Sequence, residues 1–145
     1  MKISIEKLTE ELIEECTPII NRNYKETGHF IEDLDISWDH FLMLGDSFVC
    51  IIMRNDENKI VGILFFIISL YSHISYLLMA QQITFYVDKK YRFSSMRMLD
   101  FSEEFCKNNR VDFILQSARY GTKFCDTLKH KGYEPSDITF IKRMS

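Results

Sequence analysis

Residues 92–97 read Arg-Phe-Ser-Ser-Met-Arg and stand where a helix is expected to begin. Unpaired N–H groups and the positive end of the helix dipole make such a start a resting place for an anion. Ser94 and Ser95 can add hydroxyl hydrogen bonds there, and Arg92 and Arg97 add charge. The same letters also describe a plain serine-capped helix, and the two readings stand level. His73 lies beside Ser72 and Ser75 in a break between apolar runs. An imidazole titrates near neutrality and can take a proton, although an exposed loop histidine is the plainer reading. His29, His40 and His130 are scattered without the spacing of a ligand set, so no metal is expected. Cys16, Cys50, Cys106 and Cys125 form no Cys-x-x-Cys pair, and three of them sit among apolar neighbours as small core residues.

The elements that would carry these residues follow from periodicity. Lys2 to Glu6 alternates as a short strand. Thr9 can cap a helix with Glu10 and Glu11 in its first turn and an apolar stripe of Leu12, Ile13, Cys16, Ile19 and Ile20. Pro18 lies inside that stripe, so a kink or break is expected there. The polar stretch from Asn21 to Asp35 resists assignment, and Ser37 looks like the cap of a short helix bearing Trp38 and Phe41. Ser47 to Met53 and Ile60 to Tyr71 read as strands joined by the turn residues Asn55-Asp56-Glu57-Asn58. Leu77 to Val87 is a third strand, and Ser94 or Ser95 opens a helix reaching about Asn109. A buried-type strand over 111–116, a helix over 122–131 stopped by Gly132, and a closing strand over 139–144 complete the chain. Strands first grouped and later separated by helices indicate an α/β fold with a mixed, mostly antiparallel sheet flanked by helices, in one domain over 1–145.

Composition removes whole classes of function. The 145 residues carry 18 Lys+Arg against 21 Asp+Glu, a net charge of −3 that suits no binder of a phosphate backbone. No nucleic-acid partner is therefore expected. From Ile60 to Val87 there is no Asp, Glu, Lys or Arg, a length sufficient to cross a bilayer. Ser69, the 72–75 break and Gln81-Gln82 interrupt it, so two strands and a turn explain the run better than a membrane helix. The first residues, MKISIEKLTEE, hold no apolar run of the signal-peptide kind, and a cytoplasmic location is expected.

The segment Tyr86-Val87-Asp88-Lys89-Lys90-Tyr91-Arg92, followed by a helix, resembles motif A of the GNAT N-acetyltransferase superfamily, in which a strand, an Asp-Pro-x-Tyr-Arg turn and a loop lead into a helix. His130-Lys131-Gly132-Tyr133-Glu134-Pro135 resembles the end of that family's last helix, and Ile138 to Lys142 its final strand. The combination looks most like the small acetyltransferase-like proteins of bacteriophages. The resemblance implies acetyl-CoA as cosubstrate and an amine of a small molecule or protein as acceptor. Backbone groups of Tyr86 and Val87 would align the pantetheine arm, and Arg92, Phe93, Ser94, Ser95, Met96 and Arg97 would hold the pyrophosphate.

The pattern is incomplete. Glycine positions of the family loop hold Phe93, Ser95 and Arg97, which narrows the backbone's approach to phosphate. The strand position at which the phage-like relatives carry a basic Glu is Gln82, and the position of the family's acidic Tyr is Leu128. Proton removal would then fall to water near Gln82 or to His73, and proton donation to Tyr120, Tyr86 or Ser117. The alternative is a catalytically degenerate binding protein on the same scaffold. Exposed strand edges in such folds leave a homodimer open.

Overall fold

The computed structural model describes residues 1–27, 36–71 and 73–144, and of residues 74 and 75 the backbone alone. His29 lies outside the described residues. The chain divides into two compact units, Met1–Leu115 and Gln116–Ser145.

The first unit is a five-stranded sheet with helices on both faces. Its elements are β1 (Lys2–Glu6), α1 (Glu10–Thr27), α2 (Asp39–Met43), β2 (Phe48–Arg54), β3 (Ile60–Tyr71), β4 (Ile74–Val87), α3 (Ser95–Asn108) and β5 (Phe113–Leu115). The strands lie in chain order, with β1 to β4 antiparallel and β5 parallel to β4. The mixed, mostly antiparallel sheet expected from the sequence is therefore present.

Alternation divides the core in two. Cys50, Ile52, Ile63 and Phe65 pack with Leu12, Cys16, Ile19 and Ile20 of α1. Val49, Ile51, Met53, Leu64 and Phe66 pack with Met98 and Cys106 of α3. With both faces covered, β2 and the first half of β3 are apolar at nearly every position, which is why they read as continuous runs. The uncharged stretch 60–87 is thus two strands and a turn, and among the described residues no helix is long and apolar enough to cross a membrane.

Several local expectations need correction. Helix α1 runs through Pro18 to Thr27, so of the kink or break expected there the break does not occur. A proline inside a helix costs about 3 kcal/mol, while each buried aliphatic side chain returns about 1.5–3 kcal/mol. The buried residues Leu12, Cys16, Ile19 and Ile20 flank Pro18 on both sides and hold the helix together. Trp38, rather than Ser37, occupies the cap position of α2, and its indole N–H donates to Thr17 Oγ1 at 3.2 Å. Strand β4 begins at Ile74 rather than Leu77, and β5 spans three residues rather than six.

In the second unit, α4 (Lys123–His130) follows Thr122 and ends on Gly132, whose φ is +91°. Gly132 N–H donates to Lys129 O and Tyr133 N–H to Leu128 O, the paired bonds that close a helix around a left-handed glycine. Residues 139–144 form no strand, contrary to the alternation, and Phe140 is 88% exposed. Alternation marks a face but does not by itself supply a second strand to build a ladder with.

Candidate functional site

Strand β4 positions most of the candidate residues, and one irregularity governs how. Phe65 faces Thr84 across the β3–β4 ladder, and the next residue, Phe66, faces Gln82. Ile83 is the extra residue of a bulge, which shifts the side-chain parity of the strand by one. Ala80 and Val87 differ by an odd number of positions yet both pack on the α3 face. Tyr86 correspondingly turns to the α1 face.

The bulge lies where β4 parts from β5. The parallel ladder pairs Met79, Ala80 and Gln81 with Phe113, Ile114 and Leu115. From residue 82 to residue 87, no strand among the described residues pairs with that side of β4. Alternate residues of such an edge turn backbone N–H and C=O groups outward, the geometry to which extended amide chains add.

Beyond Val87 the chain turns through a short 3-10 helix, Lys89–Ser94, into α3. Here the candidate anion residues are largely committed to the protein itself. Arg92 Nε donates to Val87 O at 3.2 Å, and its Nη2 donates to Glu26 Oε2 at 2.6 Å. Its guanidinium carbon also sits 6.0 Å from the centre of the Tyr86 ring. Tyr86 donates its hydroxyl hydrogen to Glu26 Oε1 at 2.8 Å. One helical turn earlier on α1, Arg22 lies 3.5 Å from Asp88 Oδ1. The last turns of α1 are thus fastened to residues 86–92 by two ion pairs and a phenol.

These contacts set the local titration. Desolvation works against the Glu26 charge, but the hydrogen bonds from Tyr86 and Arg92 outweigh it and hold the carboxyl below its usual range. Burial, with the Glu26 hydrogen bond and charge added to it, pushes the Tyr86 phenol up to about 12. Glu26 opens the acidic stretch 26–35, which the sequence alone reads as a solvated loop or lid, or as a surface for a basic partner, and not as part of this site. Its helical spacing of four from Arg22, which puts both on one face, was the available signal.

The remaining loop candidates differ in access. Ser94 occupies the cap position of α3 in helical conformation, and its hydroxyl caps nothing. That Oγ is buried without a hydrogen-bond partner. Ser95 Oγ donates to Arg92 O at 2.7 Å. Phe93 is 77% exposed, and Met96, Arg97, Lys89 and Lys90 also face solvent. Gln82, partly buried, stands at the fork.

The structure does not bring His73 to this place. It is exposed in the turn before β4, nine positions from Gln82, which an extended strand spans in roughly 30 Å. Tyr120 belongs to the second unit and is 88% exposed, while Leu128 of α4 is buried. Ser117 is exposed, also in the second unit. Among the described residues no three His, Cys, Asp or Glu side chains gather as metal ligands.

No protein-family model matches the sequence, and no curated protein matches it. Solved structures do. Glucosamine-6-phosphate N-acetyltransferase from Arabidopsis thaliana superposes with a TM-score of 0.72 at 14% identity, covering 100% of both chains. Ribosomal-protein-alanine N-acetyltransferase from Brucella melitensis biovar Abortus 2308 gives a TM-score of 0.77 at 13% identity, over 100% of this chain and 99% of that one. An aminoglycoside acetyltransferase from an uncultured soil metagenomic sample, solved in complex with trehalose, gives 0.71 at 17% identity, over 99% and 97%. At these identities the likeness shows the fold, and that fold is the one expected from motif A.

Proposed function

We propose that this chain is an N-acetyltransferase that takes its acetyl group from acetyl-CoA and passes it to an amine of a small molecule or protein in the cytoplasm. The observation that supports this reading best is the parting of β4 from β5 after Gln81 and Leu115, beside a bulge. A strand edge of six residues, with which no strand among the described residues pairs on that side, suits the amides of the pantetheine arm.

The residues present fit that donor unevenly. The β4 edge fits the arm, with backbone groups of Tyr86 and Val87 among those offered, although Val87 O already accepts from Arg92. At the helix start, Arg97, Lys89 and Lys90 stand open to phosphate. Arg92 is engaged by Glu26, and the Ser94 hydroxyl is buried. When bound, acetyl-CoA supplies an activated thioester acetyl group. The chain's own contribution is chiefly positioning, which alone lowers a barrier substantially. Gln82 orients a water or the acceptor at the fork through its amide and carries no charge with which to hold a proton at neutral pH. Water takes the amine proton and supplies one to the departing thiolate, so turnover is slow.

The uncharged Gln82 also favours a second reading, in which the fold serves as a non-catalytic binding protein such as a phage accessory or host-directed factor. Calorimetric titration with acetyl-CoA separates the two. Saturable one-to-one binding, followed by thiol release with a panel of amines, is the expected result. No heat at millimolar acetyl-CoA would sink the enzyme reading and direct the search to protein partners.

A further inference from the structure

We propose that Glu26 sets how strongly the start of α3 takes a phosphate-bearing ligand, because its carboxylate occupies Arg92 as an internal anion. The inference rests on the acyl-donor reading above and deepens it.

The geometry is a crossed pair of ion pairs. Arg22 and Glu26 are four residues apart on α1, and Asp88 and Arg92 are four apart where the chain leaves β4. Arg22 meets Asp88 at 3.5 Å and Glu26 meets Arg92 at 2.6 Å. Tyr86 fixes the other oxygen of Glu26, so the carboxylate is held in place from two sides. The Arg92 side chain is nonetheless half exposed, and a ligand reaches it from solvent without unfolding anything. A phosphate arriving there meets a neutralised pair instead of a cation. To gain Arg92 it must displace a carboxylate already bonded at charge-assisted distance. Glu26 is therefore a positioning residue acting through Arg92.

The test titrates acetyl-CoA into the full chain by calorimetry, comparing wild type with Glu26→Gln, which keeps the shape and removes the charge. Binding is expected to tighten roughly two- to fivefold, the scale of one partly exposed ion pair. S-acetylpantetheine, which lacks the phosphates, should bind both proteins alike. In an Arg92→Ala background the same Glu26→Gln change should give no gain. Should the Glu26→Gln protein fail to fold, Glu26→Asn is measured in the same way. Equal or weaker acetyl-CoA binding by the folded variant overturns this inference alone. Absence of binding by every variant overturns the acyl-donor reading and this inference with it.

Discussion

A Cβ atom on Gly62 would lie 2.8 Å from the sulfur of Met98, so β3 and α3 approach as closely as they do because residue 62 has no side chain. Gly62 also pairs with Val87, the last residue of β4. The close contact therefore seats α3 directly behind the strand end that leads into its own N-terminus.

Gly62→Ala is expected to destabilise the fold by about 1–3 kcal/mol, the usual result of overfilling a packed core. Met98 is fully buried and Met53 Cε lies 3.0 Å from the same point, so neither can swing away without disturbing its neighbours. Urea unfolding would show a lower midpoint. An unchanged midpoint would mean that the thioether repacks freely.

Arg54 ties three elements together, donating to Glu6 at 2.8 Å, to Glu15 at 2.8 Å and to Asn58 O at 2.9 Å. Its truncation to Ala should cost about 1–3 kcal/mol, within the range for charge-assisted hydrogen bonds and tempered by partial exposure of the acids. The pH dependence has a definite sign. The Arg54 hydrogen bond, aided by its charge and opposed by desolvation, lowers the Glu15 carboxyl in the folded state. Stability from that shift is complete above the ordinary carboxylate value and is lost as pH falls through the lowered one. Denaturation midpoints measured through the acid range should show this loss in wild type and a smaller one in Arg54→Ala.

Thiol chemistry should single out one cysteine. Burial pushes Cys16 and Cys50 up to about 12 and Cys106 up to about 11. Cys125 is partly exposed and directs its Sγ to Arg119 O at 3.0 Å. Iodoacetamide at neutral pH should label Cys125 in the native protein and all 4 cysteines in denaturant. Mass spectrometry finding Cys16 or Cys50 labelled without denaturant would contradict the packing described.

Phe93→Gly examines the loop directly. The ring is largely exposed, so its loss should leave the melting temperature nearly unchanged. Acetyl-CoA binding should tighten by a few-fold, because a bare backbone lets phosphate approach the helix start more closely. Equal affinity in the two proteins would mark the loop as a plain connection between β4 and α3.

The sheet was legible because both its faces are buried. Runs such as Phe48 to Met53 and Ile60 to Phe66 leave little room for another reading, and Asn55 to Asn58 announced the turn between them. In that turn Asn55 Oδ1 accepts from Glu57 N–H and Lys59 N–H, and Asn58 adopts φ +63°. The continuation of α1 past Pro18 was hidden, since a local rule about proline gave no measure of the apolar contacts on either side. That 139–144 forms no strand was hidden for the opposite reason: alternation reports a tendency, and a ladder needs a second strand that no local pattern reveals. At the site, the order of strand, turn and helix was readable from Tyr86 to Arg97. The engagement of Arg92 by Glu26 was not, because it joins residues 66 positions apart.

The extra residue at Ile83 makes length the constrained quantity in the second half of β4. Tyr86 reaches Glu26, and Val87 faces α3, because Ile83 adds one residue to the count between Ala80 and Val87. Many exchanges of residue type at 81–83 would preserve that count. A single deletion there, however mild its chemistry, would turn the strand end over and exchange the neighbours of Tyr86 and Val87. This stretch should therefore accept spelling changes far more readily than a dropped letter.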